Sequence, residues 1–133
     1  MTFQLHPQLA KDCFVIKDLE LCRLLLMNDK NYPWCILVPT RDDKKDLYEL
    51  TEAEQKQFIV ESSRLSQVMM SLFKGTKMNV AALGNMVPQL HIHHVVRFEG
   101  DPCWPKPVWG QVSPVFYSDA EAQTLMDRIR AAL

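Results

Sequence analysis

The sequence predicts an α+β fold: a sheet of about five short strands, interrupted by one long helix and closed by a second helix at the C-terminus. Three observations carry that expectation. Short apolar runs bounded by turn residues recur on either side of the middle of the chain. One amphipathic stretch, from Thr51 to Gly75, is far too long to be a strand. A second capping pattern at Ser118 opens another stretch with helical periodicity. The 133 residues, 47% hydrophobic and 23% charged, fit one globular domain over 1–133 and exclude a disordered chain.

Taken in order, His6 to Lys11 reads as a short helix, with Pro7 suited to a first helical position. Phe14 to Lys17 and Cys22 to Met27 read as strands joined by a turn at Asp18 to Glu20. Asn28, Asp29, Asn31 and Pro33 make a loop, and Trp34 to Val38, closed by Pro39, makes a buried strand. The charged stretch Arg41 to Asp46 is a solvated loop. Thr51 with Glu54 forms a capping box, in which each side chain satisfies an orphan backbone donor. Phe58, Leu65, Met69 and Leu72 then fall on one helical face, and Gly75 is expected as the left-handed cap. Met78 to Leu83 and Gln89 to Arg97 read as two strands joined by a turn around Gly84, Asn85 and Pro88. The Pro- and Trp-rich stretch from Phe98 to Pro114 cannot be a central strand. Ser118 with Glu121 caps the last helix, whose apolar face is Leu125, Met126, Ile129 and Leu133.

Composition removes several function classes. A net charge of −1 supplies no basic field for a nucleic-acid backbone. No apolar run approaches the roughly 20 residues that cross a bilayer. The N-terminus has neither a basic start nor an apolar core, so no secretory signal is expected and a cytoplasmic setting is. The four cysteines form no C-x-x-C pair; reduced thiols are expected, with Cys22 and Cys35 as small core residues.

The chemistry concentrates in one place. Three of the four histidines, His91, His93 and His94, fall within four residues. On a strand, Gln89, His91 and His93 face one way and Leu90, Ile92 and His94 the other. Three readings compete: a polar exposed sheet face, a metal site, and nucleophilic catalysis. A His pair at i and i+2 ligates metal only with a third ligand, and a cupin-type enzyme would place a Glu after three or four intervening residues. Here five residues separate His93 from Glu99. In the third reading a neutral imidazole attacks an electrophile while its same-face neighbour assists the leaving group.

The run Gln89-Leu90-His91-Ile92-His93, followed by His94-Val95-Val96-Arg97, resembles the signature of the histidine triad (HIT) family. The order of elements resembles it too: Asn28 after an apolar strand, a strand closed by Pro39, a long helix before the site strand, and Trp104-Pro105 after it. The resemblance implies a five-stranded antiparallel sheet, a homodimer, no cofactor and no metal. It implies nucleotidyl hydrolase or transferase chemistry at the α-phosphate of a nucleoside phosphate conjugate, through a covalent nucleotidyl-histidine. Phosphoramidase and dinucleoside polyphosphate hydrolase types are both in range.

By the same resemblance His91 is the nucleophile, and His93 contacts the phosphate and helps the leaving group depart. Asn28 meets ribose hydroxyls, and Asn79 and Asn85 lie near the phosphate and leaving group. Gln89 stands where the first histidine belongs; it can still donate and accept hydrogen bonds but cannot titrate. A working site with altered proton handling is therefore expected, with a nucleotide-binding module as its alternative and a metal-dependent cupin-like enzyme behind it. His94, at an apolar position of the signature, is read as a satisfied core histidine. The tryptophans Trp34, Trp104 and Trp109 are read chiefly as packing, and the segment after the triad as a candidate for leaving-group selection.

Overall fold

Alternating and continuous apolar runs become strands because their branched and aromatic side chains fit a pleated, buried surface. The computed structural model describes residues 2–133. A short helix α1 (Pro7–Asp12) leads into β1 (Cys13–Asp18), β2 (Cys22–Met27) and β3 (Trp34–Pro39). The long helix α2 (Glu52–Phe73) follows, then β4 (Lys77–Ala81), β5 (Ile92–Arg97) and α3 (Asp119–Ala132). The strands form one five-stranded sheet in the order β1-β2-β3-β5-β4, antiparallel at every pairing. An α+β sheet of this kind is not the all-β barrel a cupin requires, so that expectation falls with the fold.

Both capping boxes form as their sequences predict. Thr51 and Glu54 satisfy one another's backbone N–H groups at the start of α2, as do Ser118 and Glu121 at the start of α3. The end of α2 differs from expectation. Lys74, not Gly75, takes the left-handed conformation, with φ of 52°. Gly75 is required for a different reason: a Cβ there would lie 2.3 Å from Val96 Cγ1.

The sheet separates two apolar layers. On one side Leu24, Leu26, Leu37, Ile92 and Val96 pack with Phe58, Leu65 and Met69 of α2 and Met126 and Ile129 of α3. On the other, Leu25, Trp34, Ile36 and Val95 are covered by Leu9, Tyr32, Val108 and the N-terminal residues Phe3 and Leu5. Two buried polar groups join helix to sheet. Glu61 of α2 accepts the amides of Leu21 and Cys22 at 2.8 and 2.9 Å. His94 donates from Nδ1 to the Ile92 carbonyl, which leaves Nε2 to accept the Ser62 hydroxyl at 2.7 Å. His94 is thus the satisfied core histidine the sequence suggested.

The site strand begins later than the sequence predicts. Its ladder starts at Ile92, because β3 pairs with it only from Trp34 to Leu37. The preceding residues bond elsewhere, with the Leu90 amide donating to the Lys44 carbonyl at 2.8 Å. Among the described residues, no helix is long and apolar enough to cross a membrane, and all four cysteines are free thiols, Cys22 and Cys35 buried.

Candidate functional site

His91 and His93 come together on the face opposite α2 and α3. Their ring centroids are 5.0 Å apart, and the side chains are 6% and 7% exposed. Period-two alternation explains the pairing: Leu90 and Ile92, between and before them, enter the helix-side core. Both rings line a hollow of about 400 Å³. Gly84 and Asn85 form part of one wall, Trp34 and Trp109 another, and Met27 and Asp12 lie toward β1.

Each ring has its Nδ1 engaged. His91 Nδ1 is 2.7 Å from the Gln89 carbonyl oxygen, which only accepts, so the imidazole proton sits on Nδ1. His93 Nδ1 is 3.1 Å from Trp34 Nε1, which only donates, so this Nδ1 bears a lone pair. Among the described residues no partner engages either Nε2, whereas every buried side-chain nitrogen and oxygen has one. Both Nε2 atoms are therefore open to the hollow.

Burial holds His93 far below the usual histidine range, at about 3, with the neighbouring His91 and His94 lowering it further. Its walls explain this. Trp34 and Trp109 stand edge-on to the ring, with centroids 5.6 and 5.1 Å away. Sequence reasoning assigned both tryptophans to packing and missed their place against the histidine. The register of β3 on β5, which sets Trp34 opposite Val95, is not written in any local motif.

The loop carrying Trp109 is held by a buried ion pair. Arg97 and Asp101 lie 2.8 Å apart, with side chains 1% and 2% exposed. Asp101 also accepts the amides of Phe98, Cys103 and Trp104. Burial alone would raise its carboxyl, but the Arg97 guanidinium and these amides outweigh it and hold it at about 2. Arg97 lies over the rings of Tyr32 and Trp104.

The other sequence-predicted residues divide. Asn85 lines the hollow. Asn28 and Asn79 do not: Asn28 Oδ1 accepts the Tyr117 amide at 2.9 Å, and Asn79 Oδ1 accepts from Arg97 at 2.9 Å. Gln89 departs most from its expected place. It precedes the strand, and its side chain turns to the N-terminal segment, accepting from the His6 amide at 2.7 Å and donating to the Gln4 carbonyl at 3.0 Å. Its backbone carbonyl, not its side chain, reaches His91. Among the described residues, no group of three His, Cys, Asp or Glu is arranged to hold a metal ion.

Comparison with known proteins agrees with this architecture. A family model described as HIT domain matches residues 8–100. A histidine triad protein from Marinobacter aquaeolei is 50% identical and superposes with a TM-score of 0.96, over 100% of this chain and 97% of that one. Histidine triad proteins from Sinorhizobium meliloti and Bradyrhizobium japonicum are each 41% identical, with TM-scores of 0.97 and 0.96, over 99% of this chain and 98% of theirs. No curated protein matches the sequence significantly.

Proposed function

The chain belongs to the HIT domain family, and from that premise we propose that it is a nucleotidyl hydrolase or transferase with His91 as its nucleophile. The observation that carries the proposal is the His91 hydrogen bond. With Nδ1–H donated to the Gln89 carbonyl, the neutral ring keeps its lone pair on Nε2, beside the hollow.

The reaction follows from that placement. His91 Nε2 forms a bond to the α-phosphorus, and the bond to the leaving group breaks with its electron pair departing on that group. The resulting nucleotidyl-imidazolium keeps its Nδ1 proton, whose positive charge the Gln89 carbonyl faces. Water then attacks phosphorus, the N–P bond returns its pair to Nε2, and the water's second proton passes to solvent. In the transferase version another nucleophile replaces water. Such chemistry asks the protein mainly for alignment and charge stabilisation. His93 Nε2 and the Gly84-Asn85 turn are the groups in the hollow best placed to donate to phosphoryl oxygens. Asn85 is kept from the sequence-predicted set as a contact residue. Asn28 and Asn79 would act on substrate only by giving up the partners they hold, so their roles here are to brace Tyr117 and Arg97.

His91→Ala is expected to abolish hydrolysis of an adenylyl conjugate, a loss of at least 10³-fold or about 4 kcal/mol of barrier, with the fold intact by circular dichroism. The wild type should also trap an acid-labile adenylyl adduct that the variant lacks. Binding of nucleotide without adduct or turnover in the wild type would replace this reading with the nucleotide-binding module. A cytoplasmic setting and a homodimer belong to the same proposal, supported respectively by the free thiols and by an open sheet edge.

A further inference from the structure

A neutral histidine normally exchanges its proton between two ring nitrogens, and each tautomer offers a different face to substrate. At His93 that freedom is removed. The indole N–H of Trp34 approaches Nδ1 at 3.1 Å, and indole has no lone pair to offer in the plane of its ring. A proton on Nδ1 would set two N–H groups head to head. Trp34 cannot swing away, because it is buried in the apolar layer, edge-on to Tyr32 at 6.3 Å and to Trp109 at 5.9 Å. The single proton of His93 is therefore on Nε2, the atom open to the hollow.

We propose that Trp34 is a positioning residue that fixes His93 as a neutral imidazole protonated only at Nε2, so that His93 hydrogen-bonds a phosphoryl oxygen but does not protonate the leaving group. A second proton on the ring has no site: Nδ1 faces an N–H donor, and Nε2 is already occupied. The titratable groups around His93 are His91, 5.0 Å away, His94, next in the chain on the opposite face of the strand, and Asp12, which lines the same hollow. Its cross-strand partners Ile36 and Ala81 do not titrate. Burial, which draws His93 down to about 3, acts in the same direction.

The consequence for substrate depends on the nucleotidyl-transfer reading; the tautomer does not. Without a proton from His93, the bond to phosphorus breaks with the electron pair leaving on an unprotonated group, which takes its proton later from solvent. Leaving groups that are stable as anions are thereby favoured: the substrate class is a mixed anhydride or aryl ester of a nucleoside monophosphate, ahead of an alkyl amidate.

The tautomer is read directly by ¹⁵N NMR of imidazole-labelled protein at neutral pH. The expected spectrum shows a protonated Nε2 and an unprotonated, hydrogen-bonded Nδ1 for His93. Trp34→Phe, which keeps a ring and removes the N–H, should shift Nδ1 and admit a second tautomer. A protonated Nδ1 in the wild type, or a tautomer unchanged in Trp34→Phe, overturns the proposal; should that variant fail to fold, the wild-type spectrum decides alone. For the chemistry, single-turnover release of phenols from a series of adenylyl aryl esters should rise steeply as the phenol becomes more acidic in the wild type, because the departing oxygen carries its negative charge without a proton from His93. A rate indifferent to phenol acidity overturns the unprotonated departure. Absence of any turnover refutes the nucleotidyl-transfer reading and the substrate class with it, while the NMR result still decides the tautomer.

Discussion

At Gln89 one side-chain amide spans two backbone groups of the N-terminal segment, accepting from His6 and donating to Gln4. A single imidazole nitrogen pair cannot reproduce that adjacent acceptor and donor in the same geometry, which gives glutamine a structural use at this position. Gln89→Ala is expected to lower stability by about 1–2 kcal/mol through the two lost hydrogen bonds, seen as a reduced urea midpoint at unchanged slope. His94 carries a different liability. Burial draws it down to about 4 in the fold, against ~6.5 in an unfolded chain. Between those values the unfolded chain binds more protons, so the stability is complete above about 6.5 and is lost as pH falls toward 4. By about pH 5.5 His94 should cost on the order of 1 kcal/mol, with a similar loss from His93, and urea midpoints at that pH and near neutrality will show it. At this scale the sequence was legible only where partners are local. His91 and His93 share a face by alternation alone, whereas Asn28 meets Tyr117 and Asn79 meets Arg97, partners brought from distant parts of the chain.

Helices and strands were far more legible, because capping boxes and apolar periodicity are local signals. Both boxes close on their predicted partners, and α2 runs 22 residues from its predicted N-cap to a C-cap one residue short of the glycine expected there. Where an element's end depends on a neighbour, the pattern was silent. Nothing in residues 89–91 announces that they bond to the N-terminal segment and Lys44 instead of extending β5. Gly75 is a second case, since its smallness serves Val96 across a packed junction and not the helix cap. Gly75→Ala should cost about 1–3 kcal/mol by overpacking that junction. Lys74→Gly, which relieves a left-handed φ of 52°, should stabilise by a few tenths to about 1 kcal/mol. Thermal denaturation of the pair separates crowding from capping, for a cap function at Gly75 would leave the alanine variant mildly affected.

For the molecule as a whole, the sheet divides labour. Its helix-covered side supplies the larger core, and its other side, roofed by loops and the N-terminal segment, carries His91 and His93. The β4 edge has no neighbouring strand among the described residues; Val80 is about half exposed on it, and beyond its end, in the turn that lines the hollow, Leu83 is about half exposed and Met86 93% exposed. An unprotected edge with apolar side chains is a pairing surface. The proposed homodimer should therefore appear as twice the chain mass in sedimentation equilibrium, and Val80→Lys should shift it toward monomer. The roof over the histidines is pinned at both ends, by the five contacts of Asp101 at its start and by buried Val108 at its finish. Between those anchors Lys106 and Pro107 are exposed to solvent. That span is a ready cassette: protein engineers can exchange it without touching a residue that lines the hollow, while the moorings on either side keep the indole of Trp109 in register.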